Sequence, residues 1–332
     1  MLHSRSTACC LFAATAGLLM MSTSSRAQPL LTETFDDDPI TNGRATAVGD
    51  TIPSRFTTSP GTLTAQYDTL ESTTKLIWTL PGSQTLSETD SFRYTTSFTV
   101  DSLAAEFGEF AQIAFGLINS ATTGADRAGG SGVGGYAHDI VTFDYFPNVS
   151  NFSAETVAST VTETDVGQGY LAQFDQDWNI ISPGAIVFPF GAESELDPEQ
   201  PLAVGTPLTA VVTYLAANRT VTLQVSDAGG LLDINLTGEG GAGGPDGDVT
   251  TVQTTLRAAS TFTVDAFALT LWEDTFIQNP SVPSVLAAVT FDEFSVHQIP
   301  EPTGIGLLAI LGAAVLHRRR RTARMNTARS SE

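Results

Sequence analysis

Cysteine is almost missing from this chain. Of 332 residues, only Cys9 and Cys10 carry a thiol, and both lie among the first ten. Everything downstream is therefore without a disulfide or a thiolate metal site, although both would survive outside the cytoplasm. Basic residues are scarce as well. Between residues 28 and 302 there are seven (Arg44, Arg55, Lys75, Arg93, Arg127, Arg219 and Arg257) against thirty-five acidic ones, a net charge of −28. Such a surface disfavours nucleic acid and anionic lipid, and it repels acidic polysaccharide unless divalent cations bridge the two. Neutral glycans and cations are the compatible partners; solubility and salt tolerance are the plainer reason for the same charge. Histidine occurs only at positions 3, 138, 297 and 317. Too few ligands remain for a zinc site of the usual type.

Long apolar runs are confined to the two ends. At the start, Arg5 precedes an apolar stretch from Leu11 to Met21, and Ser25-Arg26-Ala27 places small residues at −3 and −1. This is the pattern of a signal peptide, residues 1–27, cleaved after Ala27. Cys9 and Cys10 precede most of the apolar stretch, which argues against lipidation. At the other end, Pro300-Glu301-Pro302 is followed by an apolar run over 304–316, then Arg318-Arg319-Arg320-Arg321 and a polar tail, 322–332. The run is short against the roughly 20 residues of a relaxed span, and the arginines hold its end on the cytoplasmic side. Proline motif, apolar run and arginine cluster, in that order over 300–321, resemble the PEP-CTERM sorting signal. That resemblance implies an exosortase-type membrane protease as partner, passage through the inner membrane, and release to the cell surface or extracellular matrix. A plain tail anchor is the alternative.

The body, 28–299, reads as one all-β domain with ample length for a core. Phe92, Tyr94, Phe98 and Val100 alternate with Arg93, Thr95, Ser97 and Thr99, a period of two with one buried face. Ile113, Phe115 and Leu117 repeat the pattern, as do Val141, Phe143 and Tyr145. Leu208 to Tyr214 and Val221 to Val225 flank a short loop containing Asn218, which predicts a hairpin. Two late strands fall within 262–272 and 285–296. Leu103 to Phe107 has room for one helical turn, and the Gly- and Pro-rich stretches 124–135, 188–201 and 238–248 read as loops. Short strands separated by turn signals predict an antiparallel β-sandwich.

Three segments carry a further resemblance: Glu33-Thr34-Phe35-Asp36-Asp37-Asp38, the Tyr214-x-x-x-Asn218-Arg219 hairpin, and Phe291-Asp292-Glu293-Phe294-Ser295-Val296. Together they resemble concanavalin A-like jelly rolls of the laminin-G or legume-lectin type. The resemblance implies neighbouring first and last strands. It also implies a structural calcium ion tying them together, with Asp36, Asp37 and Asp292 at roughly corresponding places. Asp-rich turns explain the same residues without a metal.

Catalytic patterns are incomplete. A laminarinase-type glycosidase needs two carboxylates on one strand face, and the nearest match, Glu163-Thr164-Asp165-Val166-Gly167-Gln168, ends in a Gln that cannot donate a proton. His138 beside Asp139 lacks a Gly-x-Ser-x-Gly elbow. A sugar site would pair an aromatic platform with planar polar groups. The cluster Phe174-Asp175-Gln176-Asp177-Trp178-Asn179 fits best, with Asp175, Asp177, Trp178 and Asn179 as contacts; Trp272 with Glu273 and Asp274 is second. Both could equally be core aromatics beside turns. The sequence thus points to an exported, non-enzymatic surface or matrix protein, glycan-binding or adhesive, with neutral exopolysaccharide as the compatible ligand. A secreted polysaccharide-active enzyme and a purely structural surface protein are the rivals.

Overall fold

Alternating apolar and polar side chains make most of the described residues strand. The computed structural model describes residues 28–49, 52–68, 73–103, 113–121, 139–146, 156–162, 186–187, 193–196, 202–232, 234–237, 248–249, 251–256, 261–271 and 286–300. Ala27, Trp178 and its cluster, Trp272, Glu163–Gln168, His138 and everything from Glu301 onward, the expected membrane helix included, lie outside them.

In chain order the strands are β1 (Gln28–Glu33), β2 (Thr46–Val48), β3 (Phe56–Ser59), β4 (Thr62–Asp68), β5 (Thr74–Thr79), β6 (Leu86–Ser87) and β7 (Phe92–Leu103). Next come β8 (Ile113–Ile118), β9 (Ile140–Phe146), β10 (Thr156–Thr162), β11 (Ile186–Val187), β12 (Glu193–Leu196), β13 (Pro207–Leu215) and β14 (Thr220–Asp227). The last are β15 (Gly230–Leu231), β16 (Ile234–Thr237), β17 (Asp248–Val249), β18 (Val252–Thr255), β19 (Thr263–Val264), β20 (Ala266–Leu271) and β21 (Leu286–Gln298).

Two sheets result. Sheet A has nine strands in the order β15-β14-β13-β7-β21-β4-β3, with β1 also beside β21 and β18 beside β14. Sheet B has ten, β17-β16-β12-β10-β9-β8-β20-β5-β2, with β11 beside β10. Strand pairing is antiparallel in both, as for β21 with β7 and β20 with β8. The protein is an antiparallel two-sheet β-sandwich, and its first and last strands are neighbours.

The sheets are joined by an aromatic seam. Phe98 of sheet A meets Phe115 and Phe143 of sheet B at 5.2 and 5.7 Å, and those two rings stack at 4.5 Å. Further along, Phe294 stacks on Phe267 at 4.0 Å and meets Trp78 edge-on at 5.0 Å. Each such pair adds about 0.5–1.5 kcal/mol beyond the area it buries.

Strands β8 and β20 are buried along their whole length, on both faces. Besides the seam residues, Ala114, Ile118, Ala266 and Ala268 form a second cluster with Ile77 and Ile140 on the far side of sheet B. Their sequences, Ile-Ala-Phe-Gly-Leu-Ile and Ala-Phe-Ala-Leu-Thr-Leu, are nearly continuous apolar runs, as strands covered on both sides require. Gly116 has φ +148°. A Cβ there would lie 2.6 Å from the Val141 carbonyl oxygen, 2.7 Å from Thr142 Cα and 2.8 Å from Tyr94 Oη. No larger residue fits.

Several expectations shift. Leu103 ends β7 rather than opening a helix, held there by its pairing with Ala287 of β21, and 104–107 lie outside the described residues; the single α-turn among the described residues is α1, Ile52–Arg55. Glu193–Leu196, read as loop, pairs with β16. The β13–β14 hairpin closes with Leu215 opposite Thr220, but its left-handed residue is Arg219 (φ 56°), one place after the expected Asn218.

Candidate functional site

The outer face of sheet A is polar because every second residue of its strands points away from the seam. Register places Ser226, Thr209, Ser97 and Glu293 side by side across β14, β13, β7 and β21. Between Phe291 and Glu293 the register of β21 slips. The bulge adds Asp292 to the exposed side next to Glu293, the re-aiming that bulges impose. Opposite, the β14–β15 turn brings in Asp227, whose Oδ1 accepts the Gly229 N–H at 2.6 Å. Pro207, Leu208 and Ala228 complete an open pocket of about 500 Å³.

Three carboxylates and three hydroxyls line this pocket, with no cationic, thiol or imidazole group among its lining residues. The Asp292 carboxyl is pushed above its ordinary range, first by partial burial and then by the nearby charges of Asp101 and Glu293. Asp101 itself accepts the Thr290 hydroxyl at 2.6 Å, and Thr290 lies 2.9 Å from Thr64 Oγ1. Because the one Thr290 proton goes to Asp101, Thr64 donates to Thr290.

Asp36 and Asp37, the other expected calcium ligands, are engaged elsewhere. Asp36 accepts the Thr34 hydroxyl at 2.8 Å; Asp37 pairs with Arg44 and accepts the Asn42 amide at 2.8 Å. Asp38 closes the turn on Ile40 N–H and the Thr41 hydroxyl, and the Thr41 bond, ahead of opposing burial, leaves its carboxyl below the usual range. Among the described residues no three His, Cys, Asp or Glu side chains gather to hold a metal ion. Asp36, Asp37 and Asp292 are thus not brought together in one group.

The residue that anchors the opening segment is Glu33, which is 3% exposed. Its carboxylate accepts Trp78 Nε1–H at 3.0 Å, Arg44 Nε–H at 2.9 Å and Nη2–H at 3.0 Å, and the Thr34 and Phe35 amides at 3.1 and 2.9 Å. The guanidinium is held still more basic than usual, chiefly by Glu33 against some desolvation, with Asp37 adding. This cluster joins β1 to β5 across the two sheets. It is structural, since its acceptor positions are filled from within the chain.

Sheet B carries one polar row of its own. Lys75, Thr270, Ala114 and Asp144 stand in register across β5, β20, β8 and β9, all buried, and Thr142 donates to Asp144 at 2.8 Å. The segment around Asp139 is likewise structural where described, Asp139 Oδ1 accepting the Thr263 amide at 2.9 Å. His297, the one histidine among the described residues, is half-buried opposite Arg93.

Sequence reasoning singled out Asp292 but for another role. It missed Ser97, Thr209, Ser226, Asp227 and Glu293, because nothing in one strand reports its partners or a bulge. Alternation did mark Ser97 and Thr209 as outward-facing.

Comparison with known proteins finds no matching family model and no matching curated protein. Solved structures do match in overall shape. Peanut lectin with a nine-residue peptide is 13% identical, with a TM-score of 0.45 over 82% of this chain and 99% of that one. The Emp47p carbohydrate recognition domain is 10% identical at 0.47, covering 83% and 99%; the seed lectin of Lotus tetragonolobus is 12% identical at 0.42, covering 82% and 99%. What they share with this chain is the two-sheet β-sandwich.

Proposed function

We propose that this is an exported, non-enzymatic surface or extracellular-matrix protein that binds glycan, carried out of the cell by its signal peptide and sorted by its PEP-CTERM-like tail. The observation that carries the glycan reading is the chemistry of the sheet A pocket. Its carboxylates only accept hydrogen bonds, its hydroxyls accept or donate, and its walls include apolar carbon from Pro207, Leu208 and Ala228. The complementary ligand presents many O–H donors and some C–H surface, which describes a sugar without acidic groups. A body charge of −28 selects the same way.

For sorting, support comes from Pro300-Glu301-Pro302, the apolar run and Arg318–Arg321. The partner is an exosortase-type membrane protease acting at the inner membrane, and the destination is the cell surface or beyond it. A concanavalin A-like jelly roll is the finer fold that the adjacent first and last strands support.

A glycan array probed with the full chain in mild detergent tests the binding, and the Asp292→Ala variant loses the signal. Release of reducing sugar from neutral β-glucan would overturn the non-enzymatic reading. The intact mass of the protein recovered from the cell surface tests the sorting: loss of the 304–332 portion is expected, and retention of the whole tail refutes cleavage.

A further inference from the structure

The pocket does not stand alone on its sheet. One strand-row away, Thr99, Thr290, Thr64 and Thr57 lie in register across β7, β21, β4 and β3. On its other side, Val211, Thr95 and Ser295 form the next row of β13, β7 and β21. Beyond that come Thr222, Thr213, Arg93 and His297, with Arg93 Nε donating to Thr213 at 3.2 Å. Most of these side chains are half-buried, packed edge to edge with their outer ends open to solvent. With strands about 4.8 Å apart, the threonine row from Thr99 to Thr57 spans about 14 Å.

Resting on the glycan reading above, we infer that the outer face of sheet A is a track for an internal stretch of an uncharged polysaccharide, with the pocket as its deepest subsite. Four observations carry this. The pocket is open to solvent rather than enclosed, so it admits a ligand longer than itself. The rows flanking it carry short hydroxyls, which pair with sugar hydroxyls without ordering long side chains, a small entropic penalty. Among the described residues the ionisable groups on this face are the pocket carboxylates, Asp68, Asp101, Arg93 and His297, mostly acids, so an acidic polymer meets repulsion while a neutral one meets hydrogen-bond partners. A second copy of this chain is the rival occupant, and two bodies of charge −28 repel each other.

The test uses the full chain in mild detergent, with dextran, soluble β-1,3-glucan and galactomannan as neutral probes and alginate in chelator as the acidic control. Retardation in affinity gels by at least one neutral polymer, and none by alginate, is expected. Calorimetry with oligosaccharides cut from the retained polymer should show the hexamer binding roughly tenfold tighter than the dimer. Thr99→Lys should erase that length advantage while leaving dimer affinity unchanged, and Asp292→Ala should weaken both. Equal affinity for dimer and hexamer, or a length advantage that survives Thr99→Lys, overturns the track but leaves glycan binding standing. Failure of every neutral polymer to bind overturns both. Sedimentation showing a dimer that Thr99→Lys dissociates, without polymer retention, assigns the face to a second copy and also overturns the inference.

Discussion

Replacing Glu33 by Ala removes one carboxylate from five donors at once. Arg44 is 38% exposed and keeps Asp37, so its loss is partly repaired by water. Trp78 Nε1–H is fully enclosed and has no such recourse. Leaving a buried donor unsatisfied costs about 1–3 kcal/mol. The Phe35 amide is a second orphan, and its residue sits in the left-handed region at φ 53°, where a non-glycine backbone needs fixing from outside. Counting the two buried donors and a discounted share for the ion pair, Glu33→Ala should lower stability by about 3–4 kcal/mol. For a domain of this size that is a fall in Tm of about 10 °C. Calorimetry on the full chain measures it, and Trp78, held between Phe35 and Phe294, should show altered near-ultraviolet dichroism below the transition. Glu33→Gln keeps an acceptor oxygen but turns an amide toward donors, so it should fall between the two. A Tm within about 2 °C of the parent for Glu33→Ala would refute the account, since it would mean the donors find water and the cluster contributes nothing net.

Gly116→Ala should destabilise by about 3 kcal/mol, because the new methyl meets backbone atoms of β9 that cannot swing aside; a chemical denaturation midpoint unchanged from the parent would contradict this. Asp292→Asn should raise Tm at neutral pH. A carboxyl whose folded pKa is raised favours folding below its unfolded pKa and loses that contribution as pH climbs through the folded value. The variant's advantage should therefore fade as pH drops into the ordinary carboxylate range, and one constant across pH would rule out the charge cause. Tyr214→Phe should cost about 1 kcal/mol by deleting the 2.7 Å bond to the Glu88 carbonyl, read from urea denaturation; a cost below the error of that measurement would show that water replaces the bond.

Much of the sandwich was legible because a half-buried strand writes its two faces into alternate positions, as Phe92 to Val100 does. Where both faces are covered, alternation disappears: Ala114 and Gly116 are as buried as Phe115, and only the continuous apolar run marks them. The hairpin of β13 and β14 was visible, but the left-handed residue was not, since Asn218 and Arg219 differ in propensity and tertiary context chose the second. The pocket was not legible as an assembly. Its parts come from positions 97, 207–209, 226–228 and 292–293, and the bulge that turns Asp292 outward is a property of the paired ladder. Glu33 looked like one more acid in an acidic run; only the arrival of Trp78 from β5 reveals why it is inside.

Strand β21 bears on how the sandwich resists a pull on its last residues. It lies between β7 and β4, bonded on both flanks, and its final residues match Arg93 and Phe92 of the longest neighbour. Ile299 adds one more tie, its amide reaching the Ser91 carbonyl at 2.8 Å. A pull on the last residues of this strand therefore loads the interior of sheet A rather than an edge. The strand is woven into the fabric instead of hemmed to its border, so the load spreads through the β7 ladder before the strand gives way.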